Sequence, residues 1–296
     1  MNIDNIDELK ERYKNFEEVF KSENYNKAVK MLDELINDLT ERMDVRRAAY
    51  FEKNGHISIS SSDNDKKEIY ISLNHVMEYY LYVFYYKPDA DVLCTDIPLG
   101  EYLRTYGGLC IKLAKYNAAK EAFIQAIEWN PIDLDAILGL AECYKYLGMN
   151  DRYLEQTKNA YRLCCTRATM ARYYRNMGYI NVSKYNTELA RACYIYSNIY
   201  YHTENADNEL KYLETALNDK TPDYSIKDMQ KMFDENGIEP GPDSDTIGII
   251  YRVGELMMHD NEYKLAKDCF SIVYDITGEK KLEALLDELE KVEGGN

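Results

Sequence analysis

Seven cysteines and four histidines are the side chains of this chain best suited to nucleophilic, redox or metal chemistry. Their spacing supports none of these. Cys94, Cys110, Cys143, Cys164, Cys165, Cys193 and Cys269 include no C-x-x-C pair, and most fall within helical periodicity, where cysteine serves as a small apolar residue. Adjacent Cys164 and Cys165 leave two readings open: a redox pair, or one thiol turned inward and the other at the surface. His56, His75, His202 and His259 pair neither with one another nor with cysteine at metal-ligand spacing. G-x-S-x-G, G-x-x-x-x-G-K-[ST] and G-x-G-x-x-G are all missing, so no nucleophile elbow, phosphate loop or dinucleotide turn is encoded. The expectation is a protein that is not an enzyme and uses neither cofactor nor metal.

Charge gives a more specific signal. Lys and Arg number 36 against 52 Asp and Glu, for a net charge of −16. A nucleic-acid binder needs excess cations to displace phosphate counterions, so that class is disfavoured. One segment runs the other way. Between Arg152 and Arg191 stand Arg152, Lys158, Arg162, Arg167, Arg172, Arg175, Lys184 and Arg191, with only Glu155 and Glu188 opposing them. A cationic patch in an acidic protein focuses field on an anion, and arginine can hold a carboxylate with two hydrogen bonds. Either these cations line a binding face, or they point outward and pair with carboxylates of adjoining elements.

What positions them is a helical repeat. Gly and Pro are sparse, at 14 and 6 residues, which favours helices over loop-rich architecture. A small residue is followed twelve positions on by another small one, then an aromatic four later, then a small residue three later. Gly107, Ala119, Phe123 and Ala126 carry this pattern; so do Gly178, Ala190, Tyr194 and Ser197, and Gly254, Ala266, Phe270 and Val273. Ala141, Tyr153, Thr157 and Ala160 form a weaker copy. The last three residues of each set share one helical face, and the twelve-residue step spans a turn between two helices.

This pattern resembles the tetratricopeptide repeat, a helix–turn–helix unit of about 34 residues. The match is fullest from Glu101 to Pro131, where Leu103, Tyr106, Gly107 and Cys110 precede Ala119, Phe123, Ala126 and the terminating Pro131. The resemblance implies an all-α fold, an α-α superhelix of stacked pairs with a concave face. That face would be lined by Glu101, Arg104, Gly108, Ile111 and Lys112 of the first clear unit. The second would give Asp135, Leu138, Glu142, Lys145 and Tyr146; the third Arg172, Arg175, Tyr179, Val182 and Ser183, with Asn176 beside them. The fourth would give Gly248, Tyr251, Glu255, Met258 and His259. The candidate peptide-binding residues are Arg104, Arg172, Arg175, Asn176, Tyr179 and Tyr146. The family's carboxylate clamp for chaperone tails uses a two-Asn, Lys-rich set; Gly108 stands at one of those Asn positions, so chaperone binding is not expected.

The remaining segments divide around these repeats. Residues 1–99 read as a degenerate helical repeat, broken at Asn24–Tyr25–Asn26, in which Phe16, Ala28, Leu32 and Leu35 keep the spacing imperfectly, with a small β-hairpin insertion near residues 56–73. In it His56–Ser60 and Glu68–Leu73 alternate as strands, and Asn74 is placed to cap the next helix. That insertion reads as cover for the end of the array or as an arm that grips a partner. Residues 100–204 hold three repeats. Residues 205–296 hold a degenerate pair (Asp207–Asn218, with Leu210, Leu213 and Leu217 inward, and Ser225–Glu235), a rigid turn at Glu239–Asp243 that could hinge, the last repeat, and a capping helix from Lys280 to Val292.

The first residues show neither the basic nor the apolar region of a signal peptide. No stretch reaches the ~18 apolar residues of a membrane span. The expected location is the cytoplasm and the expected partner a protein or peptide with acidic groups, with no nucleic acid and no membrane; self-association is left open. Two functions compete: a protein- or peptide-binding scaffold or adaptor using the concave face, and a ligand-responsive sensor whose superhelix tightens on binding.

Overall fold

The computed structural model describes residues 6–42, 50–51, 57–58 and 68–293. Fourteen helices are found among them, and most pack against a sequence neighbour. The chain falls into two compact units, residues 1–149 and 150–296.

In the first unit α1 (Ile6–Lys21) and α2 (Tyr25–Arg42) meet at a turn in which Glu23 takes a left-handed conformation, φ 59°. The break expected at Asn24–Asn26 is therefore the helix boundary. Phe16, Ala28, Leu32 and Leu35, whose spacing follows the repeat imperfectly, are all buried. They join one core with α4 (Leu99–Lys112), α5 (Tyr116–Trp129) and α6 (Leu134–Tyr146). Phe123 is the wedge of that core. A Cβ built on Gly107 would lie 2.9 Å from the Phe123 ring, and one built on Gly139 would lie 2.5 Å from it. Only bare backbone lets α4 and α6 approach the ring so closely.

Between α2 and α4 lie β1 (Tyr50–Phe51), β2 (Ile57–Ser58), β3 (Glu68–Ile71), α3 (Val76–Tyr86) and β4 (Asp91–Cys94). Among the described residues the expected pairing of β2 with β3 is not found. β2 pairs antiparallel with β1, while β3 pairs in parallel with β4, from Glu68 opposite Asp91 to Ile71 opposite Cys94. Residues 59–67, on which the expected hairpin loop falls, lie outside the described residues. Parallel pairing needs a crossover, and α3 supplies it. Asn74 does not cap α3 by its side chain; the N-cap is His75 and makes no side-chain cap bond. Instead Glu78, on the first turn, reaches back and accepts the Asn74 backbone N–H at 2.8 Å.

The second unit contains α7 (Asn150–Tyr161), α8 (Arg167–Ser183), α9 (Thr187–Tyr200), α10 (Glu204–Leu217), α11 (Ile226–Glu235), α12 (Ser244–His259), α13 (Tyr263–Thr277) and α14 (Lys280–Glu293). The aromatic wedge recurs. A Gly178 Cβ would come within 2.9 Å of Tyr194, and a Gly254 Cβ within 2.7 Å of Phe270. Ala190, Ser197, Ala266 and Val273 are buried beside these rings. α8 starts in a capping box made by Thr166 and Thr169, which satisfies two backbone donors at its first turn.

Three expectations for this unit change in detail. Helices α10 and α11, read as partners, both lie against α9. Leu217, read as inward, is exposed, because its helix ends there and Asn218 turns left-handed at φ 49°. The Glu239–Asp243 turn, read as a hinge, is held: the Tyr174 hydroxyl donates to the Glu239 carbonyl and the Tyr196 hydroxyl to the Pro240 carbonyl, each at 2.7 Å. Those two phenols stand in an aromatic cluster with Tyr200 and Phe233. The capping helix meets expectation: Leu282 and Leu289 of α14 are buried, and the helix packs on α13.

Candidate functional site

Arg172, Arg175, Asn176 and Tyr179 all lie on α8 at i, i+3, i+4 and i+7, which places them on one stripe of the helix. Arg104 and Tyr146 belong to the other compact unit. Arg104 is occupied there. Its Nη1 lies 3.2 Å from both carboxylate oxygens of Asp133 and 3.7 Å from Asp135. Burial alone would lower its pKa, but the two carboxylates outweigh burial and the guanidinium is held above its ordinary value. Tyr146 is half exposed and stacks on Tyr116, with ring centroids 4.5 Å apart.

Several cations of the 152–191 segment have internal partners. Arg191 is wholly buried; it holds Glu188 at 3.2 Å and Asp219 at 3.1 Å, and also donates to the Asp219 backbone carbonyl. Arg152 pairs with Glu155 at 2.8 Å. Arg167 donates to the carbonyls of Tyr200 and Ile199, closing the C-terminal end of α9, where unpaired carbonyls favour a cation. Counting charge along the segment missed Asp219 because it lies well outside it in sequence.

Arg191 also keeps a buried donor without a partner, its Nε, but its Nη1 holds two carboxylates; Arg175 differs at Nη1. Its Nη1 is buried and has no hydrogen-bond partner. Burial, and then the neighbouring charge of Arg172, push its pKa below the ordinary arginine value. A guanidinium in that setting is missing an acceptor, and a buried donor without one costs free energy.

Thr157 and Tyr194 are the residues that the candidate set missed. Thr157 Oγ1 and the Tyr194 hydroxyl are also buried without a partner. Burial pushes the Tyr194 phenol well above its ordinary pKa. The signal was present in the repeat: Tyr194 takes the position that Phe123 and Phe270 hold in other copies, and Thr157 takes the same position in the weak copy.

A separate surface cavity of about 590 Å³ opens between α12 and α13. Gly248, Tyr251 and Glu255, three of the expected groove positions of the last repeat, line it with Arg252, Ile276 and Glu279; Met258 and His259 are not among its lining residues. The charge of Glu255 is the main cause that raises the Tyr251 pKa.

Cys164 is buried and its thiol donates to the Ala160 carbonyl at 3.3 Å, whereas Cys165 is partly exposed. The pair thus follows the inward-and-outward reading. Among the described residues no helix is long and apolar enough to cross a membrane, and no cluster of three or more metal-ligating side chains is found. No protein-family model matches the chain, and no curated protein matches its sequence.

Proposed function

We propose that this protein is a non-enzymatic peptide-binding scaffold or adaptor of the tetratricopeptide-repeat type. In this reading the helix pairs stack into a superhelix, and α8 presents its cationic stripe to an acidic segment or C-terminal carboxylate of a partner in the cytoplasm. One observation carries it: Arg175 holds a buried guanidinium N–H with no acceptor, beside a second cation, Arg172. A carboxylate supplies both the missing acceptor and the countercharge. Asn176 and Tyr179, on the same stripe, would contact the peptide backbone and side chains.

Replacing both Arg172 and Arg175 with glutamate should weaken binding to a pool of acidic peptides by at least about 30-fold, as expected when both cations of a desolvated charge contact are reversed. Arg152→Glu, which alters an exposed ion pair, should leave it nearly unchanged. Circular dichroism and thermal melting confirm that each variant is folded. Equal binding by a folded double variant and the wild type would overturn the assignment.

The sensor reading differs in one measurable respect. It requires the chain to become more compact in solution scattering when peptide binds, whereas a rigid adaptor keeps its radius of gyration.

A further inference from the structure

The acceptor missing at Arg175 is also missing at Thr157 and Tyr194, which stand on the two helices packed against α8. α7 and α8 run antiparallel: Tyr153 meets Tyr179 with ring centroids 5.6 Å apart, and Tyr161 meets Tyr173 at 5.3 Å. Thr157 lies one turn from Tyr153 on α7, between these contacts, and so stands level with Arg175–Met177 of α8. Tyr194 arrives from α9. Its Cζ, the ring atom that bears the hydroxyl, lies 2.9 Å from where a Gly178 Cβ would be, one turn along α8 from Arg175. Thr157 is wholly buried and Tyr194 is 2% exposed. Their hydroxyls and Arg175 Nη1 are all without partners. Each can donate a hydrogen bond, and a group rich in acceptors satisfies all three. The phenylalanines at the Tyr194 position in other copies need none, so a polar atom has been added in the copy that carries the unpartnered guanidinium.

We infer that α7, α8 and α9 form a site for one oxyanion group, in which Arg175, Tyr194 and Thr157 donate hydrogen bonds and Arg172 adds charge. The inference rests on α8 as the ligand-facing helix and adds donors from its two neighbours. Glu209 of α10 is the carboxylate whose field reaches Tyr194; the Tyr194 hydroxyl makes no hydrogen bond to it. It opposes an anion there and so limits affinity.

The test uses the full chain with two probes, inorganic phosphate and a hexaglutamate peptide, measured against chloride at equal ionic strength. Without either probe, Tyr194→Phe and Thr157→Val should each raise Tm by a few degrees, because each deletes a buried hydroxyl that has no partner. With a probe that binds, each should weaken affinity by roughly tenfold, the worth of one hydrogen bond to a charged group. Glu209→Gln should tighten binding by about twofold to threefold through loss of a screened repulsion. Binding of phosphate alone identifies a free small anion as the ligand and removes the peptide scaffold reading while keeping the site. Binding of hexaglutamate, with or without phosphate, identifies a peptide carboxylate as a ligand. If hexaglutamate binding depends on Arg172 and Arg175 but is indifferent to Tyr194→Phe and Thr157→Val, the scaffold reading stands and this site falls. If the wild type binds neither probe, the site is overturned as well.

Discussion

Gly139→Ala destabilises the first unit by about 1–3 kcal/mol, although alanine is the better helix former. The new methyl group would sit 2.5 Å from two atoms of the Phe123 ring. The ring has little room to withdraw, because on its other face even a Cβ at Gly107 would lie 2.9 Å from it. Relief requires α4 and α6 to spread, and both helices contribute to the same buried core. The alanine's propensity gain of about 1 kcal/mol only partly offsets this. Gly139→Leu extends the clash by three further carbons and should leave the unit unfolded at room temperature. Gly108→Ala provides the opposite control. Nothing lies within 4 Å of its Cβ position, so it should stabilise by about 0.5–1 kcal/mol. Urea denaturation reads both signs. Combining Gly139→Ala with Phe123→Leu should recover part of the loss, since a smaller side chain makes room for the methyl. If Gly139→Ala proved as stable as wild type, the wedge would not be what spaces these helices.

Asp133→Ala should cost about 3 kcal/mol, the sum of three lost roles. Its carboxylate caps α6 by accepting the Ala136 N–H at 3.0 Å. It accepts Arg104 through both oxygens and the Asn74 side-chain amide at 3.1 Å. It is itself 1% exposed, so water cannot replace it without opening the core. The Asn74 amide also reaches Glu78, and Glu78 accepts from Asn130 at 2.8 Å. Two carboxylates and two amides thus tie the segment between β3 and α3 to the start of α6. Arg104 keeps a quarter of its side chain in solvent, so its lost partner costs less than a fully buried one would. Asp133→Asn retains an acceptor for the cap and should cost about half as much. A melting shift of equal size for both variants would mean that the whole loss lies in the charge and that the retained cap acceptor contributes nothing.

The helices and their buried faces were legible because a 3.6-residue periodicity is a local property. Phe16, Ala28, Leu32 and Leu35 could be marked for burial from spacing alone, as could the aromatic of each repeat. The partner of a buried face is a different matter. Spacing singled out Gly107 as facing Phe123, yet Gly139, from the following helix, comes closer still. β3 showed alternation, but nothing local distinguishes a hairpin from a parallel ladder that closes only after an intervening helix.

The candidate site divides in the same way. That Arg172, Arg175, Asn176 and Tyr179 share a stripe follows from their numbering. Which cations already have internal partners does not: Arg191 and Arg175 look alike in sequence, but the Nη1 of one meets Asp219 from across a turn and the Nη1 of the other meets no acceptor. By itself the sequence determined which residues form helices and which faces turn inward, because backbone periodicity and side-chain volume act between near neighbours. Only the tertiary structure decided which charges are satisfied and which donors are left waiting, because hydrogen bonds and desolvation depend on atoms brought together through space.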